Sequence, residues 1–336
     1  MYHLRIVAPP ERSEDTLALL TSSPSVCNVI FLAGAAREPE GDVILADVAR
    51  EDASVIVSDL RELRIEEEGS IALESIDTAL SKHAERAEKA AKGAPSDAVI
   101  WEQVEFRTSE EAKLSASYLA FIVLATLIAS VGLLLDSPIL IVGAMVVGPE
   151  FGPIAGFCVA LVQRERRLAA RSLLALAAGF LAAILVTYAA ALLFRAGGAA
   201  PDTFSFDEST FAHAISNPDF FSFFVAFGAG VAGMLSLTTA KSGALIGVLI
   251  SVTTIPSAAA IALAAAYRDG DAWAGSVAQL GVNITMILLA GVSTLLIQRT
   301  LYLRRRARHL RTESRRAAGL PIGRSAASPP ADREPV

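Results

Sequence analysis

Cysteine is almost missing from this chain: its 336 residues include Cys27 and Cys158 and no other cysteine. One falls in a stretch that reads as a soluble strand and the other in a long apolar run. A disulfide between them is not expected, and nothing suggests an oxidising compartment. The four histidines, His3, His83, His213 and His309, are scattered, so no metal-ligand spacing arises. Charge is scarce too, at 19% of residues against 53% hydrophobic, and the mean hydropathy is +0.49. That balance is too apolar for an ordinary soluble protein of this length. The glycine loop that cradles phosphates, the dinucleotide fingerprint and the nucleophile elbow of hydrolases are all missing. No cofactor, metal or enzymatic activity is therefore expected. The N-terminal YHLRIVAPP lacks the basic flank and apolar run of a cleavable signal.

The charge that is present is unevenly spread. Residues 1–113 carry 12 Lys/Arg against 23 Asp/Glu, residues 114–298 carry 7 against 9, and residues 299–336 carry 10 against 3. The pattern predicts an acidic soluble domain, a membrane core and a basic tail. Within 1–76, alternating or apolar runs at 2–8, 25–34, 41–49 and 69–76 read as strands, and 11–23 and 50–63 as helices. The order βαββαβ predicts a small α+β ferredoxin-like domain. Residues 77–113 read as a helical linker broken by GAPSD at 93–97. Trp101 there either lies near the bilayer surface or packs on the soluble domain.

From 114 to 298 the chain reads as a mostly α-helical polytopic membrane domain with six spans: 115–135, 138–162, 172–194, 221–239, 243–267 and 273–298. Such segments are long enough to cross roughly 30 Å of hydrocarbon. Arginines cluster at 163–171 and after Arg299, Lys241 lies between spans four and five, and the 196–220 loop is acidic without Lys or Arg. All basic clusters share one side if both termini are cytoplasmic. The expectation is a multi-pass protein of the cell (inner) membrane. Residues 299–336 read as a cytoplasmic tail, disordered from 317 on. Arg304, Arg305, Arg306 and Arg308 in it are expected to meet anionic lipid headgroups rather than nucleic acid.

Spans two and five are each interrupted near the middle by proline, glycine or threonine. They open alike, DSPILIVG at 136–143 and KSGALIGV at 241–248. Lipid cannot satisfy the backbone exposed by a break, so protein or a watery cavity must surround it. Paired broken helices in matching places point to a transporter-type site. Three spans per half is odd, so related halves must enter the membrane in opposite directions. The reading is an inverted 3+3 repeat. Chance likeness of two apolar helices is the competing reading.

Candidate site residues sit at the two breaks. Glu150 lies mid-span in GPEFGP, and a charge at that depth costs roughly 2.5–3.5 kcal/mol on insertion scales. It is either a proton or cation ligand or a hydrated tip of a re-entrant loop. Gly148, Pro149, Gly152 and Pro153 surround it and favour an unwound stretch, with a packing kink as the plainer alternative. Thr253, Thr254 and Pro256 mark the softer second break, where threonine hydroxyls either ligate an ion or patch carbonyls freed by proline. Asn283, with Gln279 and Thr285, either lines a path or holds helices together. Asp136 is expected to cap the helix that starts at Pro138.

The stretch IASVGLLLDSPILIVGAMVVGPEFGPIAGF at 128–157 resembles the prokaryotic uncharacterised hydrophobic-domain proteins, domain of unknown function 389. GLLLDSP at 132–138, IVGAM at 141–145 and P-x-x-G-P from Pro149 to Pro153 carry the resemblance, with AVIWEQVE at 98–105 in support. It covers roughly 98–265. It implies a membrane domain behind an N-terminal soluble region and brings no established activity. Two function classes follow from the residues. The first is a transporter or channel for a small solute or ion, with the soluble domain regulating or oligomerising it. The second is a membrane-anchored sensor or scaffold without transport. A homo-oligomer fits either.

Overall fold

The computed structural model describes residues 1–76, 78–91, 93, 98–239 and 253–325. The first part of the expected fifth span, with Lys241, lies outside the described residues, as does the tail from 326. The chain divides into two compact units: residues 1–102 with 298–336, and residues 103–297.

The first unit begins with β1 (Tyr2–Ala8), α1 (Pro10–Thr21), β2 (Val26–Arg37), β3 (Glu40–Val48), α2 (Arg50–Glu62), a single turn α3 (Ile65–Glu68) and β4 (Ser70–Ser75). The expected βαββαβ order is present, with α3 added. The strands form one antiparallel sheet in the order β2-β3-β1-β4. The period of two places Tyr2, Leu4, Ile6 and Ala8 of the central strand in the core. Ile6 lies opposite Ile44 on one side and Ile71 on the other. Leu19 and Leu20 of α1 and Ile56 and Leu60 of α2 cover that face. A further helix, α4 (Lys82–Ala90), starts from Ser81, whose side chain accepts from the His83 N–H.

The C-terminal segment belongs to this unit. Ala318 and Leu320 enter the same core, within the stretch that the sequence suggested to be disordered from 317. Two of the four arginines assigned to lipid headgroups are engaged inside the unit. Arg306 donates to Asp59 at 2.5 Å and to Glu62 at 2.7 Å, and Arg305 donates to the Glu51 carbonyl at 2.5 Å. Arg304 and Arg308 are exposed. His309 and the fully buried Arg315 complete a knot around Asp59. Burial alone would raise the Asp59 carboxyl. The His309 bond and the Arg306 and Arg315 charges outweigh it and hold the group below the usual carboxylate range. Trp101 is 8% exposed and stacks edge-on against Tyr302, so of its two readings the packing one applies.

The helices that follow are α5 (Trp101–Glu111), α6 (Ala116–Leu134), α7 (Pro138–Val147), α8 (Phe151–Gln163), α9 (Arg166–Ala196), α10 (Thr210–Ser216), α11 (Phe220–Thr238), α12 (Thr254–Tyr267), α13 (Gly270–His309) and α14 (Glu313–Ala317). Four of them, α6, α9, α11 and α13, are long and apolar enough to cross a membrane, and the pair α7 and α8, bent by 48°, makes a fifth candidate. The described part of the expected fifth span is α12, with 14 residues. Six spans were expected; four or five are seen among the described residues.

The second unit is built inside out relative to a soluble domain. Leu173, Leu174, Leu181 and Leu185 on α9 and Phe220, Phe221 and Phe224 on α11 face outward. Its centre is α12, apolar on every side and buried almost throughout. Its alanines let α6 and α9 approach closely. Gly179 of α9 serves the same end: a Cβ there would lie 2.8 Å from the Tyr118 ring. Asp136 does not cap α7. It turns in the left-handed region, with φ 48°, and its carboxylate accepts from Ser209 Oγ at 2.8 Å and Phe211 N at 3.1 Å. It thus caps α10, and the Phe211 and Ser209 bonds hold its pKa below the ordinary range.

Element boundaries recur at a fixed interval. α6 and α11 are both 19 residues long and start at Ala116 and Phe220. Their N-caps, Ser115 and Asp219, each accept from the backbone N–H three residues on, at 3.1 and 2.9 Å. α8 and α12 end at Gln163 and Tyr267 and are stopped by left-handed arginines, Arg164 (φ 66°) and Arg268 (φ 59°). Each end is then closed by a 2.9 Å bond from the next residue, Glu165 N to Ala160 O and Asp269 N to Ala264 O. The long helices α9 and α13 start at Arg166 and Gly270. Every pair is separated by the same interval as Glu150 and Thr254, which is 104 residues.

Candidate functional site

Pro149 has no amide proton and disfavours the helical region for the residue before it. Gly148 is accordingly extended, with ψ 127°, and α7 stops at Val147. Three residues, Gly148 to Glu150, form the break before α8 starts at Phe151. The unwound stretch is shorter than Pro149–Pro153, because Pro153 falls in the first turn of α8, where its missing N–H leaves no helix bond unmade. Pro256 occupies the same kind of place in the first turn of α12. Both prolines are therefore helix starters, and both are buried.

The two helix starts meet. Thr254 donates to Glu150 Oε1 at 2.6 Å. Next to it, Thr253 Oγ1 accepts from Asn283 Nδ2 at 2.9 Å and from Gln279 Nε2 at 3.5 Å. Gln279 Nε2 also reaches Asn283 Oδ1 at 3.2 Å, and Ser257 donates to the Thr253 carbonyl at 2.6 Å. Glu150 is 3% exposed, so it is not a hydrated tip of a loop. Two acceptors in this cluster, Glu150 Oε2 and Gln279 Oε1, are buried and have no hydrogen-bond partner among the described residues. Leaving such a group unpaired costs about 1–3 kcal/mol, and more for a charged one.

Of the residues singled out from sequence, Glu150, Thr253, Thr254 and Asn283 are thus brought together, with Gly148 alongside. A Cβ on Gly148 would collide with Glu150 Oε2 and lie 2.6 Å from Ile255. Only glycine lets the carboxylate lie against the break. Gly152 instead makes room for α5: a Cβ there would lie 2.7 Å from Glu111 Cβ. The sequence marked Gln279 with Asn283 as a residue that either lines a path or holds helices together, and it gave no sign of Tyr118. Tyr118 lines, with Glu110, Glu111, Lys113, Gly148 and Pro149, a cavity of ≈ 310 Å³ on the other side of the break. Glu110 is paired with Lys113 at 2.5 Å. Burial pushes the Glu111 carboxyl above its ordinary range.

Among the described residues no group of three or more His, Cys, Asp or Glu is placed to hold a metal ion. Oxygen atoms dominate the cluster, with one carboxylate among them, Glu150.

A 165-residue stretch is 27% identical to an uncharacterised protein of Methanocaldococcus jannaschii, covering 49% of this chain and 49% of that relative. The chain therefore spans about half the length of the curated relative it matches. No solved structure matches. Residues 145–289 match the family described as Domain of unknown function (DUF389). The break at Gly148–Glu150 and the start of α12 both lie inside that match.

Proposed function

We propose that this chain is a multi-pass transporter or channel for a small solute or ion, and that Glu150, Thr253, Thr254 and Asn283 form its site. The observation that carries the reading is the 2.6 Å bond between Glu150 and Thr254, residues related by the 104-residue interval that also relates the helix boundaries. Equivalent positions of two repeats touch only where they straddle the axis that relates the repeats. The three-plus-three inverted arrangement supplies such an axis in the membrane plane, with broken helices beside it. In this reading the chain crosses the membrane six times, and the soluble unit regulates or oligomerises the membrane domain. Exposed Arg304 and Arg308 are left to meet anionic headgroups.

The test is a flux screen with the full chain in proteoliposomes, across inorganic ions and small organic solutes. A specific flux is expected. Glu150→Gln should lower it by at least roughly 10-fold, equivalent to about 1.4 kcal/mol of lost interaction. No flux for any solute would remove the transport reading. The near-complete enclosure of Glu150 favours a second reading, an anchored sensor or scaffold that moves nothing, and that result would support it.

The basic clusters place both termini in the cytoplasm of the inner membrane in this reading. Asp207→Cys and Ile322→Cys, each the sole cysteine of its variant, are both at exposed positions. An impermeant thiol reagent added to intact cells should label the first and spare the second. Labelling of position 322 from outside would reverse the topology.

A further inference from the structure

We infer that the cluster at the two helix starts is a binding site for a monovalent alkali-metal cation, with Glu150 as its only full charge among the described residues. The inference rests on the site proposed above and names what that site takes.

Gln279 Nε2 spends both protons, on Thr253 Oγ1 and Asn283 Oδ1, and Asn283 Nδ2 donates to Thr253 Oγ1. Thr254 spends its proton on Glu150 Oε1. Two buried acceptors, Glu150 Oε2 and Gln279 Oε1, are left without a hydrogen-bond partner among the described residues. An anion would have to lie against the Glu150 carboxylate, and like charges repel. Two buried oxygens with nothing to accept from call for positive charge.

The chemistry of the set narrows the class. Carboxylate, carboxamide and hydroxyl oxygens suit a hard cation. Calcium sites use several carboxylates, and magnesium keeps a water shell that a closed cluster cannot house. One carboxylate balances one charge. The start of α8 at Glu150 and of α12 at Thr253 adds positive partial charge, which further disfavours a divalent ion. The end of α7 offers carbonyls of the opposite polarity to the same spot, an arrangement that discontinuous helices provide for small cations. The cavity beyond Gly148 gives a route. Glu111 on its wall adds negative charge, while Lys113 is held by Glu110.

A proton is the natural competitor for Glu150. The titratable group that faces it is Tyr118 of α6. α7 and α11 carry no ionisable side chain, and α8 carries only Cys158, which bonds Leu288 on α13. α9 brings Gly179 beside Tyr118. α12 and α13 present hydroxyls and amides to the carboxylate. Glu110, Glu111 and Lys113 lie across the cavity.

The experiment follows thermal unfolding of the purified full chain in detergent against NaCl, LiCl and KCl. N-methylglucamine chloride holds ionic strength constant, and the titrations are repeated at several pH values. One alkali cation should raise the midpoint saturably. Its apparent affinity should fall by up to about 10-fold per pH unit on acidification, because the ligand must be deprotonated. Glu150→Gln, nearly isosteric, should remove the response. Gln279→Leu, which leaves the Glu150–Thr254 bond in place, should weaken it by about 10- to 100-fold. A midpoint indifferent to all three cations, or one that responds to pH alone, would overturn the inference. Equal responses in the wild type and Glu150→Gln would overturn it too, as a nonspecific salt effect. Binding without flux would keep the cation site and remove transport. Flux that ignores the alkali cations would do the reverse.

Discussion

A chain carrying Glu150→Leu will unfold at a higher temperature than the wild type and lose every solute or cation response. The first half of that expectation is energetic. A carboxylate at depth costs roughly 2.5–3.5 kcal/mol on insertion scales. Buried ionic groups replaced by apolar ones of similar volume are often neutral or stabilising. Leucine leaves the Thr254 hydroxyl without its acceptor, a loss of about 1–3 kcal/mol. The net gain is therefore about 1 kcal/mol, read as a rise in the unfolding midpoint of the detergent-solubilised chain. The second half is functional, since leucine removes the one full charge of the cluster among the described residues. A variant that is clearly less stable than wild type would show that the Glu150–Thr254 bond holds the two helix starts together. Glu150 would then be a structural residue.

Asp59→Asn should weaken the first unit by about 3 kcal/mol, the scale seen when one partner of a buried ion pair is removed. Asp59 is fully buried and holds Arg306, Arg315 and His309 at once. Asparagine keeps its shape, and Glu62 keeps its bonds to both arginines. What disappears is the charge that offsets two desolvated guanidinium groups. Hydrogen exchange of the full chain should show faster opening of β1 and α2. The pH dependence has a definite sign. Asp59 titrates lower in the folded state than in the unfolded chain, where its pKa is about 3.9. Its contribution is complete above about pH 3.9 and is lost as the pH falls through the lower folded value. Opening that changes by less than about 1 kcal/mol would place this knot with exposed surface pairs.

Local chemistry decided much of this protein in advance. The period of two in β1 and the apolar stripes of α1 and α2 are enough to specify the plait, because each strand and helix buries one face through its own spacing. The long apolar helices follow from composition alone. Pro149 dictates a break after Val147 wherever that helix is placed, because a missing N–H and a steric clash are properties of the peptide bond. Glu150 was conspicuous for the same local reason, a charge in an apolar run.

Packing decided the rest. The basic tail looked free because charge reads as solvated in sequence. Asp59 and Glu62, some 250 positions earlier, draw Arg306 and Arg315 into the first unit, and nothing near either arginine announces it. Asp136 has the right spacing to cap α7 but turns left-handed and caps α10, because a carboxylate takes whichever unpaired amides the fold brings nearest. Gln279 and Asn283 read equally well as helix glue. Their meeting with Thr253, and that of Thr254 with Glu150, depends on α12 being threaded between α6 and α9. The sequence carries the 104-residue interval only faintly, since apolar helix surfaces tolerate exchange of one aliphatic residue for another. It is the helix ends, set by caps and left-handed turns, that preserve it.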